Sequence, residues 1–96
     1  MNGSIIIYRL PSKTDHKILN KFCQEFYGQN SSSHGGKYQY HREGFLEDIP
    51  YRKLIRGVII IKNQDIDKII SFLEDYSAEI HIRNIELTGE DMKELM

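Results

Sequence analysis

Two short segments of this sequence interleave cationic and aromatic side chains, a combination that contacts phosphate groups and stacks on nucleic-acid bases. The segments are Gly36-Lys37-Tyr38-Gln39-Tyr40-His41-Arg42 and Tyr51-Arg52-Lys53-Leu54-Ile55-Arg56. The same chemistry suits the acidic surface of a partner protein. A purely structural role is the alternative, because tyrosines are favoured in strands and charges protect sheet edges. The candidate binding residues are Lys37, Tyr38, Tyr40, His41, Arg42, Arg52, Lys53 and Arg56.

The charge of the chain is divided along its length. Residues 1–62 carry ten Lys/Arg against five Asp/Glu, and residues 63–96 carry three against nine, so the net charge of -1 is +5 joined to -6. The cationic excess lies in the part that holds the aromatic segments, which favours a docking surface there. The acidic remainder predicts that the free protein binds nucleic acid weakly, and less as salt rises.

Catalytic and metal-binding chemistry has little support in the residue pattern. The four histidines fall on separate predicted elements without a compact ligand spacing. The single cysteine, Cys23, lies on the apolar stripe of a predicted helix, where a buried thiol is inert. The sequence therefore predicts a non-catalytic protein with no metal site and no cofactor. The enzymatic alternative is a hydrolase or nuclease that uses His41 with a nearby acid.

The first third of the chain predicts one strand and one helix. The apolar, β-branched run from Ser4 to Leu10 is typical of a buried strand. Ser12, with Asp15 in capping-box spacing, predicts the start of a helix that runs to Tyr27. Gly28 follows at the position of a C-terminal cap.

The middle of the chain predicts a loop and two strands. Residues 29–36 are Asn, Ser, His and Gly-rich, which predicts a surface loop. Alternation from Lys37 to Arg42 predicts a second strand. The apolar stretch from Leu54 to Lys62 predicts a third strand that is buried on both faces, with a bulge at Gly57.

The last third predicts a helix, a strand and a short final helix. Residues 63–65 predict a cap for a helix that ends near Tyr76. The run from Glu79 to Leu87 alternates and then changes phase, which predicts a fourth strand with an irregularity at residues 83–84. Thr88 with Asp91 predicts a second capping box.

This order of elements matches the ferredoxin-like βαββαβ pattern within the α+β class. We therefore predict a single domain over residues 1–96: a four-stranded antiparallel sheet, two helices on one face and a short C-terminal helix. The other sheet face is left for solvent, a ligand or a second subunit. If the second and third strands are antiparallel neighbours, the cations converge on one patch, namely Lys37, Arg42, Arg52, Lys53 and Arg56.

One resemblance rests on the block Gly36-Lys37-Tyr38-x-Tyr40-x-Arg42-x-Gly44, followed by Ile49-Pro50 and the run from Leu54 to Ile60. This pattern resembles a group of short archaeal proteins, of crenarchaeal type, whose function is obscure. Small crenarchaeal proteins of this size also include accessory subunits of the B-family replicative DNA polymerase, and this chain resembles one of those. The resemblance implies such a role and a protein partner.

A second resemblance is to the small ferredoxin-like nucleases of CRISPR adaptation, which are similar in size and in their first strand. That family places a metal-binding Asp directly after the strand, where this sequence has Tyr8-Arg9-Leu10. The resemblance therefore does not imply nuclease activity here.

Three functions follow from these patterns. The first is an adaptor that docks through the basic and aromatic surface onto a nucleic-acid-handling protein, or weakly onto nucleic acid. The second is a structural protein whose open sheet face forms a homodimer. The third, with the least support, is the nuclease. With neither an apolar run long enough for a membrane span nor a basic leader, the chain is predicted to be cytoplasmic.

Overall fold

The computed structural model describes residues 1–33 and 38–95, with the side chains of residues 29–33 and 38–42 outside that description. The chain divides into two compact units. The first comprises Met1–Lys13 and Ile49–Met96, and the second comprises Thr14–Asp48. The α+β class, with a four-stranded antiparallel sheet and three helices, is confirmed. The single domain stays a prediction.

In chain order the described elements are β1 Asn2–Arg9, α1 His16–Tyr27, β2 Gln29–Ser33, β3 Tyr38–Arg42, β4 Tyr51–Ile55, β5 Val58–Lys62, α2 Ile66–Asp75, β6 Glu79–Glu86 and α3 Gly89–Leu95. Short 3₁₀ turns cover Phe45–Asp48 and Asn63–Asp65.

The sheet of the first unit has the strand order β4-β5-β1-β6, and each neighbouring pair is antiparallel. Ile6 on β1 lies opposite Ile59 on β5 and Ile82 on β6. Ile6 and Ile59 are fully buried, as is Ile61 on the same face. Because side chains alternate along a strand, the residues between them point to the opposite face of the sheet.

The predicted single strand from Leu54 to Lys62 is wrong, because a turn divides it into the hairpin β4–β5. The turn lies at Arg56-Gly57, and Gly57 has φ 85°, a left-handed conformation that favours glycine. The Tyr8 amide donates a hydrogen bond to the Gly57 carbonyl at 2.9 Å, so the turn is fixed against β1. The residue interpreted as a bulge is thus a turn residue.

The predicted irregularity in the fourth strand is also wrong. β6 pairs with β1 in one continuous register from Asn2 opposite Glu86 to Arg9 opposite Glu79. The change of phase in the sequence arises because Ile82 and Ile85 point to opposite faces of a regular strand. Both faces therefore bury apolar side chains.

The helix α2 connects β5 to β6, which run parallel to each other on either side of β1, so it crosses one face of the sheet. Ile69 and Leu73 on α2 are fully buried. Residues 63–65 form a 3₁₀ turn before α2. Asp65 occupies the N-cap position of α2, as predicted, but its side chain makes no capping hydrogen bond. The Asn63 side chain instead accepts a hydrogen bond from the Ser4 hydroxyl at 2.6 Å.

In the second unit, α1 begins four residues later than Ser12. Asp15 is its N-cap and accepts a hydrogen bond from the Lys17 amide at 3.0 Å, so the predicted capping box is wrong. The predicted cap at Gly28 is confirmed, since its amide donates to the Gln24 carbonyl at 2.9 Å. Phe26 is fully buried and stacks on Phe22 and on Phe45, with ring centroids 5.1 and 6.3 Å apart.

Two predictions about the middle of the chain are wrong. Gln29–Ser33, predicted as part of a loop, is the strand β2, and β3 pairs with it in a separate two-stranded sheet. The predicted second strand therefore does not belong to the four-stranded sheet, where β4 occupies the position beside β5 instead. The rest of the predicted loop, residues 34–36, lies outside the described residues.

Candidate docking surface

One face of the four-stranded sheet, which we call the α3 face, carries Ile5, Ile60 and Ile85 and is partly covered by α3. Leu87 and Leu95 are buried against Ile60. Met92 and the two flanking isoleucines pack around that cluster. The prediction that the second face of the sheet is left open is thus wrong in part, because the final helix covers part of it.

A polar clamp fixes α3 to the sheet. Arg52 on β4 bonds Asp91 with 2.7 Å between Nη1 and Oδ1, and its Nη2 lies 3.5 Å from Glu90 Oε2. The predicted capping box is confirmed: the Thr88 amide donates to Asp91 Oδ2 at 2.9 Å, and the Asp91 amide donates to the Thr88 hydroxyl at 3.1 Å. The hydrogen bond that the Thr88 backbone amide donates to the carboxylate, with those from the Thr88 hydroxyl and from Arg52, lowers the pKa of Asp91 below its ordinary 3.8.

Asp91→Asn should therefore reduce stability at neutral pH, and this loss should shrink as the pH falls. A folded-state pKa below the unfolded value means that the carboxylate stabilises the fold fully above about pH 4. That contribution is lost as the pH drops through the lowered pKa. Urea unfolding midpoints of the wild type and the variant, measured from pH 7 to pH 2.5, should converge at the acidic end.

Glu90→Gln is the matched control, because its carboxylate contacts the same arginine but its side chain is 82% exposed. An exposed pair of this kind contributes little. A difference between the wild type and Asp91→Asn that stays constant down to pH 2.5 would show that the Asp91 charge does not stabilise α3.

Beyond α3, the same face is open and forms a cleft of about 370 Å³. We call it the open cleft; its lining residues are Ile7, Tyr8, Arg9, Arg56, Gly57, Val58, Glu79 and His81. Ile7 lies opposite Val58 and His81 in the register and is 43% exposed. Ile55, which pairs with Val58, is 68% exposed beside it. The floor is therefore apolar and accessible.

Charged side chains surround this floor. Arg9 Nε lies 2.5 Å from Glu79 Oε2 across the paired ends of β1 and β6, and His81 Nε2 lies 3.4 Å from Glu79 Oε1. The hydrogen bond from Arg9, with that from His81, lowers the pKa of Glu79 below its ordinary 4.5. Arg56 is exposed and its side chain forms no ion pair or hydrogen bond within the described part of the chain. Its charge is therefore available to a partner at the edge of the open cleft.

The predicted binding residues fall in different places. Arg56 lines the open cleft, whereas Arg52 is held by Asp91 and borders another depression together with Lys53. The predicted convergence of the cations on one patch assumed that the second and third predicted strands are neighbours. That assumption is wrong, because β3 pairs with β2 and not with β4. Lys37 lies outside the described residues. The description does not include the side chains of Tyr38, Tyr40, His41 and Arg42, so the binding roles of these residues stay predictions.

Sequence reasoning missed most of the open cleft. Arg9 and Glu79 are seventy residues apart in the chain, and only the pairing of β1 with β6 brings them together. The alternation of Ile5, Ile7 and Arg9 was the available signal, since it places these three side chains on one face of a strand.

The described residues contain no group of three or more His, Cys, Asp or Glu side chains arranged to hold a metal ion. Among the described helices, none has the length and apolar character needed to cross a membrane. No protein-family model, curated protein or solved structure matches this chain.

Proposed function

We propose that this protein is a non-catalytic, cytoplasmic adaptor that docks through the open cleft onto an acidic and partly apolar surface of a nucleic-acid-handling protein. The observation that carries the proposal is the exposed apolar floor beside Arg56, an arginine whose side chain has no ion pair or hydrogen bond among the described residues. Exposed isoleucines bordered by cations are typical of a docking site, because they lose water on binding while the cations select an acidic partner. Following the archaeal resemblance, the partner would be the B-family replicative DNA polymerase.

A protein partner suits this surface better than nucleic acid. Tyr8, the aromatic residue of the open cleft, is only 6% exposed, so it offers no stacking platform. Glu79 adds a fixed negative charge next to Arg9, which weakens attraction for phosphates. The floor of aliphatic side chains favours contact with apolar side chains instead.

We also propose the ferredoxin-like arrangement for the fold. Its support is the strand order β4-β5-β1-β6. If β1, β4, β5 and β6 are the four strands of the motif in chain order, this is the strand order of the ferredoxin-like split βαβ pattern. The hairpin of β2 and β3 is then an insertion before that second strand.

Arg56→Glu is expected to weaken capture of the partner at least about tenfold, since it places a negative charge where an acidic surface docks. Tagged protein would be used to capture binding proteins from native lysate before and after nuclease treatment, followed by titration of the protein retained. Lys68→Glu, an equal change of charge at an exposed position of α2, is the control and should bind as the wild type does.

Two results would overturn the adaptor function. The first is loss of the captured protein after nuclease treatment, which would mean that nucleic acid bridges the two. The second is tight, salt-independent binding of the free protein to DNA or RNA in a mobility-shift titration. Equal capture by the wild type and Arg56→Glu would remove the open cleft from the interface.

A homodimer is the second candidate, favoured by the exposure of Leu54 and Ile55 on the edge strand β4. Sedimentation of the wild type over a range of concentrations separates the two functions. A monomer at every concentration excludes the homodimer, and a dimer that Ile55→Asp dissociates would support it.

A further inference from the structure

Within the proposed function, we infer that the occupant of the open cleft is an acidic amphipathic helix of the partner, seated on the α3 face beside α3. The inference rests on the adaptor function proposed above. It is carried by the contacts that α3 makes with the half of the same face that it covers.

The covered half shows which kind of segment this face accepts. The helix α3 presents Met92 and Leu95 to the sheet and carries Glu90 and Asp91 in its first turn. Its apolar side chains pack on aliphatic residues of the strands. Its acidic side chains meet Arg52, an arginine of β4. An acidic amphipathic helix is therefore already bound to this face within the same molecule.

The open half of the face carries the same kind of aliphatic side chains, but no segment of the described chain covers them. Ile7 follows Ile5 on the same face of β1, and Val58 precedes Ile60 on the same face of β5. Two residues along a strand span about 7 Å, so the open floor begins one side-chain repeat beyond the floor that α3 covers.

The cations of the two halves also correspond. Arg52 lies on β4 and is 28% exposed in its ion pairs with α3, while Arg56 in the hairpin turn is exposed and has no such pair among the described residues. Arg9 at the far edge is also exposed, but it is paired with Glu79, so the unbalanced positive charge of the open half comes from Arg56. Charge complementarity thus selects an acidic helix, and the aliphatic floor selects one with an apolar face.

The test uses two synthetic helical peptides with identical apolar positions. One carries Glu at its polar positions and its twin carries Lys. Each is titrated into the full-length, ¹⁵N-labelled protein and followed by amide chemical shifts. We expect the acidic peptide to bind at least about tenfold more tightly than its twin, a difference of about 1.4 kcal/mol. The shifts should concentrate at Ile7, Val58 and His81.

Variants at exposed positions make the test specific. Arg56→Glu should abolish the preference for the acidic peptide and raise the affinity for the basic twin, whereas Lys68→Glu should change neither. Both substitutions alter exposed side chains, so the unperturbed amide spectrum of each variant reports that the fold is retained.

Four results would overturn the inference. The first is equal affinity for the two peptides, and the second is binding of neither peptide. The third is a set of amide shifts confined to Met92 and Leu95, which would show that the peptide has displaced α3. The fourth is tighter binding of an extended peptide of the same composition. If neither binds but lysate capture still depends on Arg56, only the helical occupant fails. If a single-stranded oligonucleotide binds the cleft in preference to both peptides, the adaptor function fails as well.

Discussion

Ile59→Ala should lower the free energy of unfolding by about 3 kcal/mol or more, whereas Ile55→Ala should lower it by less than about 0.5 kcal/mol. The two isoleucines belong to the same hairpin, and the substitutions remove the same atoms. Ile59 is fully buried between the neighbouring strands β1 and β4, while Ile55 is 68% exposed. The first substitution leaves a cavity in the core, and the second removes atoms that are mostly exposed to solvent.

Urea unfolding followed by far-ultraviolet circular dichroism measures both effects. The matched pair also tests the turn at Arg56-Gly57. A single buried strand from Leu54 to Lys62 would bury both side chains and make the two losses similar. Losses within about 0.5 kcal/mol of each other would therefore contradict the hairpin.

This hairpin shows which features of the fold can be predicted from the sequence and which cannot. The run Val58 to Ile61 is apolar at every position, which correctly predicts a strand covered on both faces. One face of this strand is part of the buried core that includes Ile6 and Ile61, and the other holds Ile60 beneath α3. The turn escaped prediction because residues 54 and 55 are as apolar as the strand that follows, although they are exposed.

The strand β2 was missed for the opposite reason. Gln29–Ser33 contains no apolar residue, so neither alternation nor a hydrophobic run marks it as a strand. Its pairing with β3 is a hydrogen-bonded ladder, which side-chain patterns do not encode in a polar segment. Assigning β3 to the wrong sheet then produced the expected convergence of cations, which the strand pairing contradicts.

Local features of the candidate site were predictable and long-range ones were not. The capping box of Thr88 and Asp91 spans three residues and was visible in the sequence. The bond from Arg52 to Asp91 joins residues thirty-nine positions apart, and its position follows only from the packing of α3. The open cleft depends on the same long-range pairing, since β1, β5 and β6 each supply part of it.

Gly44→Ala should be among the most disruptive small substitutions in the second unit, lowering the free energy of unfolding by about 3 kcal/mol or more. A Cβ at this position would meet the Gly28 nitrogen and would come within 2.5 Å of the Tyr27 carbonyl carbon and 2.7 Å of the Phe26 oxygen. All three are backbone atoms at the end of α1. They cannot yield by rotating a side chain, so the last turn of the helix or the chain around Gly44 must move.

Gly89→Ala is the matched control because a Cβ at Gly89 would meet nothing within 4 Å, and the residue opens α3. Alanine there should stabilise the protein by up to about 0.5 kcal/mol, since it favours the helix over the unfolded chain. The same chemical change is thus expected to have opposite signs at the two sites. Urea titration of the two variants measures both changes in stability. A Gly44→Ala unfolding midpoint equal to that of the wild type would mean that the segment before Phe45 does not pass against α1.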